Sequence, residues 1–301
     1  MTAVIQVCVI ALLISVGFFL AKKKIFTRKT GQSLSYLLVN FVTPALILQS
    51  FQLDYTPDKL HGLLTAALLV LISYVVVIAF SFLLFGKTKE HRIERLAVTF
   101  SNVGFMGLPL VSGIYGAEGV FYASIAVIGF NVVFWTFGIT VLRGKLSREN
   151  VKKILLSPTL IAVAAGLILF LFRIRLPDPF ASVVHHLANL NTPIAMIVAG
   201  ISISESHPSS ALKNVQLYKV LAGKLLLVPL LLAGVFAMIP APRLIKQVLV
   251  LQQACPPAVL ISTVLLQCGK DDRKATEYFV ITTIVSMVTI PLVHFLSGLI
   301  L

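Results

Sequence analysis

The stretch SNVGFMGLPLVSGIYG, residues 101–116, decides how this chain is read. Its flanks are apolar enough to lie in a membrane, yet Asn102, Gly104, Gly107 and Pro109 stand where a helix interior should be. Glycine costs a helix interior about 1 kcal/mol relative to alanine and proline about 3 kcal/mol. A second run, QQACPPAV at 252–259, places Gln252, Gln253, Pro256 and Pro257 in a similar apolar setting. Two such interruptions point to helices that are broken inside a membrane.

The composition agrees with a membrane setting. The chain has 301 residues, 58% of them hydrophobic and 12% charged, with a mean hydropathy of +0.98. An ordinary soluble domain carries about a quarter charged residues, and no block of ordinary polarity long enough for one is present. Ten apolar runs are expected to span: 3–21, 34–51, 63–85, 96–115, 120–142, 154–172, 181–203, 218–239, 245–267 and 277–299. The first run precedes Lys22, Lys23 and Lys24, the reverse of a cleavable secretory signal, so it is read as a span.

Lys and Arg number 25 against 11 Asp and Glu, a formal charge of +14. With the N-terminus outside, 20 of the 25 fall on inner loops and flanks; Lys59, Arg173, Arg175, Arg243 and Lys246 are left outside. Basic residues concentrate on the cytoplasmic side of membrane proteins. The bias therefore predicts a plasma-membrane (bacterial inner-membrane) protein with both termini outside, and makes the excess charge a topology signal, not a nucleic-acid footprint.

NFVTPALIL at 40–48 and NLNTPIAMI at 189–197 share Asn, Thr and Pro in register at an offset of 149 residues. Each lies in the second span of its half. Five spans per half make the second half enter from the opposite face, so residues 1–145 and 146–301 form an inverted repeat, a common secondary-transporter plan. Arg95 and Lys246 are read as interface markers. Pro109 lies 14 residues past Arg95 and Pro256 ten past Lys246, roughly 21 Å and 15 Å of helix. Both breaks then fall near the middle of a hydrocarbon core about 30 Å thick. Broken helices leave backbone groups unpaired, which must face protein or a wet cavity, and half-helix N-termini suit an anion. Asn102, Gly104, Gly107, Pro109, Gln252, Gln253, Pro256 and Pro257 are the candidate substrate residues, joined by Asn131 in span five and, on the facing side, Asn40 and Thr43.

These motifs resemble the auxin efflux carrier family, which includes plant PIN-FORMED carriers and bacterial malonate and malate carriers. The resemblance covers the whole chain, and the span-four motif is its most specific part. It implies an all-α polytopic fold of ten helices, with broken helices four and nine crossing at the substrate. It also implies a scaffold of spans one, two, six and seven, a mobile unit of spans three to five and eight to ten moving as an elevator, and a homodimer. By motif match Asn102 and Pro109 belong to the first crossing segment, and Pro256 and Pro257 to the second. The long cytosolic loop of the plant members is replaced by about a dozen residues, 143–153, so regulation through it does not carry over.

Function is therefore expected to be secondary transport of a small organic anion, auxin-like or a mono- or dicarboxylate, with membrane lipid as the other partner. A sodium-coupled symporter of the same fold, and a channel or receptor, are the alternatives. No acid falls inside the ten runs; Glu118, Glu205 and Glu277 sit at span ends. Lys224 is the one charge within a span, with a snorkelling role or a substrate-attracting one. Cys8, Cys255 and Cys268 read as free buried thiols. His185 and His186 lack the company of a metal site, and Asp54 and Asp58 lack the second acidic cluster of a diphosphate enzyme. Neither a hydrolase nor a nucleotide-binding motif is present, so no enzyme, cofactor or metal is expected.

Overall fold

The computed structural model describes residues 3–143, 155–205 and 212–301. The proposed repeat boundary at 145/146 and most of the basic loop 143–153 lie outside them. The described residues form eleven helical segments and no strand: α1 Ala3–Lys22, α2 Arg28–Ser50, α3 Pro57–Phe85, α4 Arg92–Thr99, α5 Val103–Leu142, α6 Pro158–Leu171, α7 Phe180–Ser204, α8 Val215–Ala237, α9 Arg243–Gln253, α10 Leu260–Gln267 and α11 Arg273–Ile300. Seven of them (α1, α2, α3, α5, α7, α8 and α11) are long and apolar enough to cross a membrane. The expected fourth and ninth spans fail that length because each is interrupted. The expected sixth is the 14-residue helix α6.

Local chemistry sets several boundaries. α2 starts earlier than its apolar run because Thr27 and Thr30 form a reciprocal cap, each hydroxyl accepting from the other's backbone N–H. α4 and the turn before α5 are separated by an extended segment. No loop divides the expected spans four and five; Gly116, at φ 63° and ψ −155°, breaks α5 instead. Glycine alone adopts such angles without strain.

Three of the four π-helical turns among the described residues, at Leu38–Val42, Val103–Gly107 and Gly223–Leu227, each end two residues before a proline: Pro44, Pro109 and Pro229. A proline has no N–H to give and its ring presses on the carbonyl four residues back. Widening the preceding turn relieves that contact while the chain stays helical.

The exposed face of α3 carries Leu64, Leu68, Leu71 and Val75, and that of α11 carries Val288, Leu292, Phe295 and Leu299. Both sets follow helical i, i+4, i+7, i+11 spacing. Continuous apolar stripes of this kind, turned outward, are the surface a lipid bilayer accepts. Inside, α1 and the second half of α7 meet backbone to backbone. A Cβ added at Gly17 would lie 2.2 Å from the Ile197 carbonyl oxygen, and one at Gly200 2.1 Å from that of Ile14. Such small-residue contacts let membrane helices pack closely.

Packing corrects two expectations, on Cys8 and Lys224, and shows the surroundings of three other charged residues. Cys8 is exposed, while Cys255 is buried and Cys268 half-buried; helical phase turns Cys8 outward from α1. Arg95 and Lys246, read as interface markers, are both buried. Arg95 reaches back to the carbonyls of Gly86 and Thr88 at 2.8 and 2.7 Å and lies over the Phe82 ring. Lys224 does not snorkel, for it is fully buried. Glu94 on α4, two residues before the expected fourth span, has no exposed surface. Its Oε1 accepts from Tyr278 Oη at 3.1 Å and pairs with Lys274. Both partners come from α11, so the covering of Glu94 depends on tertiary packing.

A candidate substrate site at two paired helix breaks

The two interruptions meet. α4 ends at Thr99; Phe100 and Ser101 run extended, and Asn102, at φ −76° and ψ 62°, turns the chain into Val103. α9 ends at Gln253, and residues 254–259 lead into α10. The extended segments pair antiparallel at Ser101 and Pro257. Asn102 N–H donates to the Pro256 carbonyl at 2.8 Å, and Ala258 N–H to the Phe100 carbonyl at 2.9 Å. It is the only β-type pairing among the described residues. Groups orphaned by one break thus satisfy those of the other, as buried backbone requires. Prolines 256 and 257 suit this segment because they have no N–H needing a partner.

Phe100 fixes the pair from behind. Its ring is fully buried against Phe134, Phe130 and Tyr74, with centroids 5.1, 5.8 and 6.1 Å away. Ser101 is a second anchor. Its hydroxyl donates to Gln253 Oε1 at 2.8 Å and accepts from Lys224 Nζ.

Beside the crossing lies a cavity of about 360 Å³, within the size range of small-molecule sites. Among its lining residues are Asn102, Gly104, Phe105, Asn131, Thr43 and Val259, and no lining side chain is charged. The Asn102 amide has no hydrogen-bond partner among the described residues, while Asn131 Nδ2 donates within its own helix to the Val127 carbonyl at 2.8 Å. Gly104 leaves open space where a Cβ would stand. The backbone N–H groups of Gly104, Phe105, Val259 and Leu260 have no acceptor among the described residues. All four residues line the cavity, and they begin the turn into α5 and the start of α10. Two helix N-termini with free donors therefore border one uncharged space, an arrangement that favours an anion.

Apart from Thr43, the remaining candidates lie off the cavity. Gly107 and Pro109 are buried behind the turn; a Cβ at Gly107 would be 3.4 Å from Gln252 Cγ. Gln252 reaches the Ala123 carbonyl at 3.4 Å, and its Oε1 is buried without a partner. Gln253 is committed to Ser101. Pro256 and Pro257 form the pairing but do not line the cavity. Asn40 bonds within its own helix, to the Tyr36 carbonyl at 2.8 Å, and also lies off the cavity. Thr43 lines it, and its Oγ1 accepts from Asn191 Nδ2 at 3.0 Å.

Sequence reasoning missed Ser101 and Asn191, although both stand inside the quoted motifs. A small polar residue at a helix break was the available signal for Ser101. Among the described residues no cluster of three His, Cys, Asp or Glu side chains could hold a metal ion.

The profile of a family described as membrane transport protein matches residues 1–294. The chain belongs to this family, that of the auxin efflux carriers. Its relatives in the family align end to end. An uncharacterized transporter of Methanothermobacter thermautotrophicus is 23% identical over 94% of each chain. The uncharacterized transporter YfdV of Escherichia coli is 24% identical over 97% of this chain and 96% of its own. One from Methanocaldococcus jannaschii is 22% identical over 95% and 96%. As a member of this transporter family, the protein is a multi-pass membrane protein whose class of activity is transport.

Proposed function

We propose that this transporter is a secondary carrier of small organic anions, built as two inverted five-helix repeats that work by an elevator-type alternation of access. Ten spans are counted when α4 and the turn into α5 are taken as a broken span four, and α9 with α10 as a broken span nine. The contact of Thr43 with Asn191 supports the repeat, since it joins the two related Thr-Pro motifs. The bias of basic residues supports a plasma-membrane location with both termini outside.

One observation carries the anion reading: four unpaired backbone N–H groups and the free amide of Asn102 border a cavity with no charged lining. Donors of that kind hold a carboxylate by partial charges. They favour a single carboxylate, because the rest of the lining mixes Phe, Val, Met, Leu and Ala with uncharged polar groups such as Thr43, Thr159, Ser202 and Thr283 and holds no cation for a second charge.

The test is a panel of mono- and dicarboxylates with indole-3-acetate. Purified protein is assayed for thermal stabilisation, and reconstituted vesicles for tracer flux. Stabilisation and saturable flux with apolar monocarboxylates are expected. Saturable flux of organic cations or neutral solutes alone would refute the anion reading.

A further inference from the structure

Lys224 raises a separate question, because it is a fully buried cation that does not line the cavity. It stands in the π-helical turn Gly223–Leu227 of α8. Its Nζ donates to the Val98 carbonyl at 3.2 Å and to Ser101 Oγ. Among the described residues no carboxylate pairs with it.

The partners explain why it is there. In an unbroken helix the Val98 carbonyl would accept from the N–H of Asn102, four residues on. That N–H is turned away to Pro256. The break thus strands a carbonyl at the C-terminus of α4, where the helix dipole is negative. A backbone carbonyl and a serine hydroxyl, both presenting oxygen at a half-helix C-terminus, form the surroundings in which broken-helix carriers hold a monovalent metal ion. Here the oxygens face an ammonium group on a covalent arm.

We infer that Lys224 is a tethered cation: its ammonium group occupies the place a monovalent metal ion would take at the helix crossing. Through Ser101 it also reaches Gln253 on the opposing break, so one positive charge fastens α4, α8 and α9. The crossing is then assembled without any dissolved ion.

The experiment reads thermal unfolding of the purified full chain in sodium, potassium and choline chloride at equal ionic strength. It involves no substrate, so its outcome and that of the transport assays are independent. Wild-type protein is expected to unfold at the same temperature in all three salts. K224A, which leaves an open oxygen-lined space, is expected to unfold at least about 3 °C lower in choline and to recover saturably with sodium or potassium. K224M, which fills the space with an apolar chain, is expected to be lowered without recovery. A K224A variant with equal unfolding temperatures in all salts overturns the inference, as does a K224M variant as stable as wild type. If K224A cannot be purified, binding of radioactive sodium to wild type and S101A decides: no saturable binding to wild type supports the inference, and stoichiometric binding lost in S101A overturns it.

Discussion

The backbone of Asn102 and the backbone of Pro256 are joined by a 2.8 Å hydrogen bond across 154 residues of chain. One group comes from each broken helix, and neither has a partner within its own. The crossing is therefore mutual: restoring either helix would strand groups in the other.

Substituting both Gly107 and Pro109 by alanine is expected to let the helix run through the first break. Asn102 N–H would then return toward Val98, and Pro256 would lose its donor. Flux in reconstituted vesicles should fall at least about tenfold, the effect of roughly 1.4 kcal/mol on a barrier, while membrane insertion is kept. Wild-type flux in this double variant would contradict the role given to the break.

Gly104 offers a steric test of the cavity. Its Cβ position is open, so G104L should fold with an unfolding temperature close to wild type. The added side chain would occupy the space beside Asn102. Loss of substrate-induced stabilisation and of flux is expected, and an unchanged apparent affinity would show that substrate binds elsewhere.

The α1–α7 contact should tolerate no side chain. G17L and G200L each drive a side chain into a backbone carbonyl, and a sharp loss of detergent-stable protein is expected, by fluorescence-detected size exclusion. G234A is the control: nothing lies within 4 Å of its Cβ position, and alanine in a helix interior gains up to about 1 kcal/mol.

Termini placed outside should label there. Single cysteines introduced after Met1 and at Leu301 are expected to react with an impermeant thiol reagent in intact cells. The exposed Cys8 is first replaced by serine to remove background. Labelling only after lysis would reverse the orientation.

Net transport of a monovalent anion by a uniporter should follow the membrane potential, which contributes about 2.3 kcal/mol per charge per 100 mV. Tracer efflux from vesicles under potassium–valinomycin clamps measures this. Flux that ignores the clamp and tracks an imposed sodium or proton gradient would point instead to a coupled mechanism.

What the sequence displays and what it hides differ in physical kind. Glycine and proline at 104–109 and the prolines at 256 and 257 act on their own backbone, so an interruption is visible locally. Apolar composition likewise marks a membrane chain without any tertiary information. Lys224 is different, because its partners Val98 and Ser101 lie more than 120 residues away, and only packing brings α8 against α4. Glu94 stands just before an apolar run and is enclosed by Lys274 and Tyr278 of α11, so its burial has no local signature. The phase of α9 is also tertiary: it turns Gln253 toward Ser101 and Gln252 toward Ala123. Residue type alone therefore placed both glutamines nearer the cavity than they are.

Lys224 also bears on the timing of electrical work. In the elevator cycle proposed above, α8 would travel with the mobile unit, and its ammonium group with it. Over a full turn the lysine returns to its start, so the net charge moved is that of the anion alone. On that reading a bound monoanion would offset the Lys224 charge during the loaded crossing, and the empty unit would return with that charge uncompensated. The Lys224 charge would then make the empty return more sensitive to the field than the loaded crossing. Exchange of labelled for unlabelled anion, which uses only loaded crossings, would be indifferent to a potential that governs net efflux.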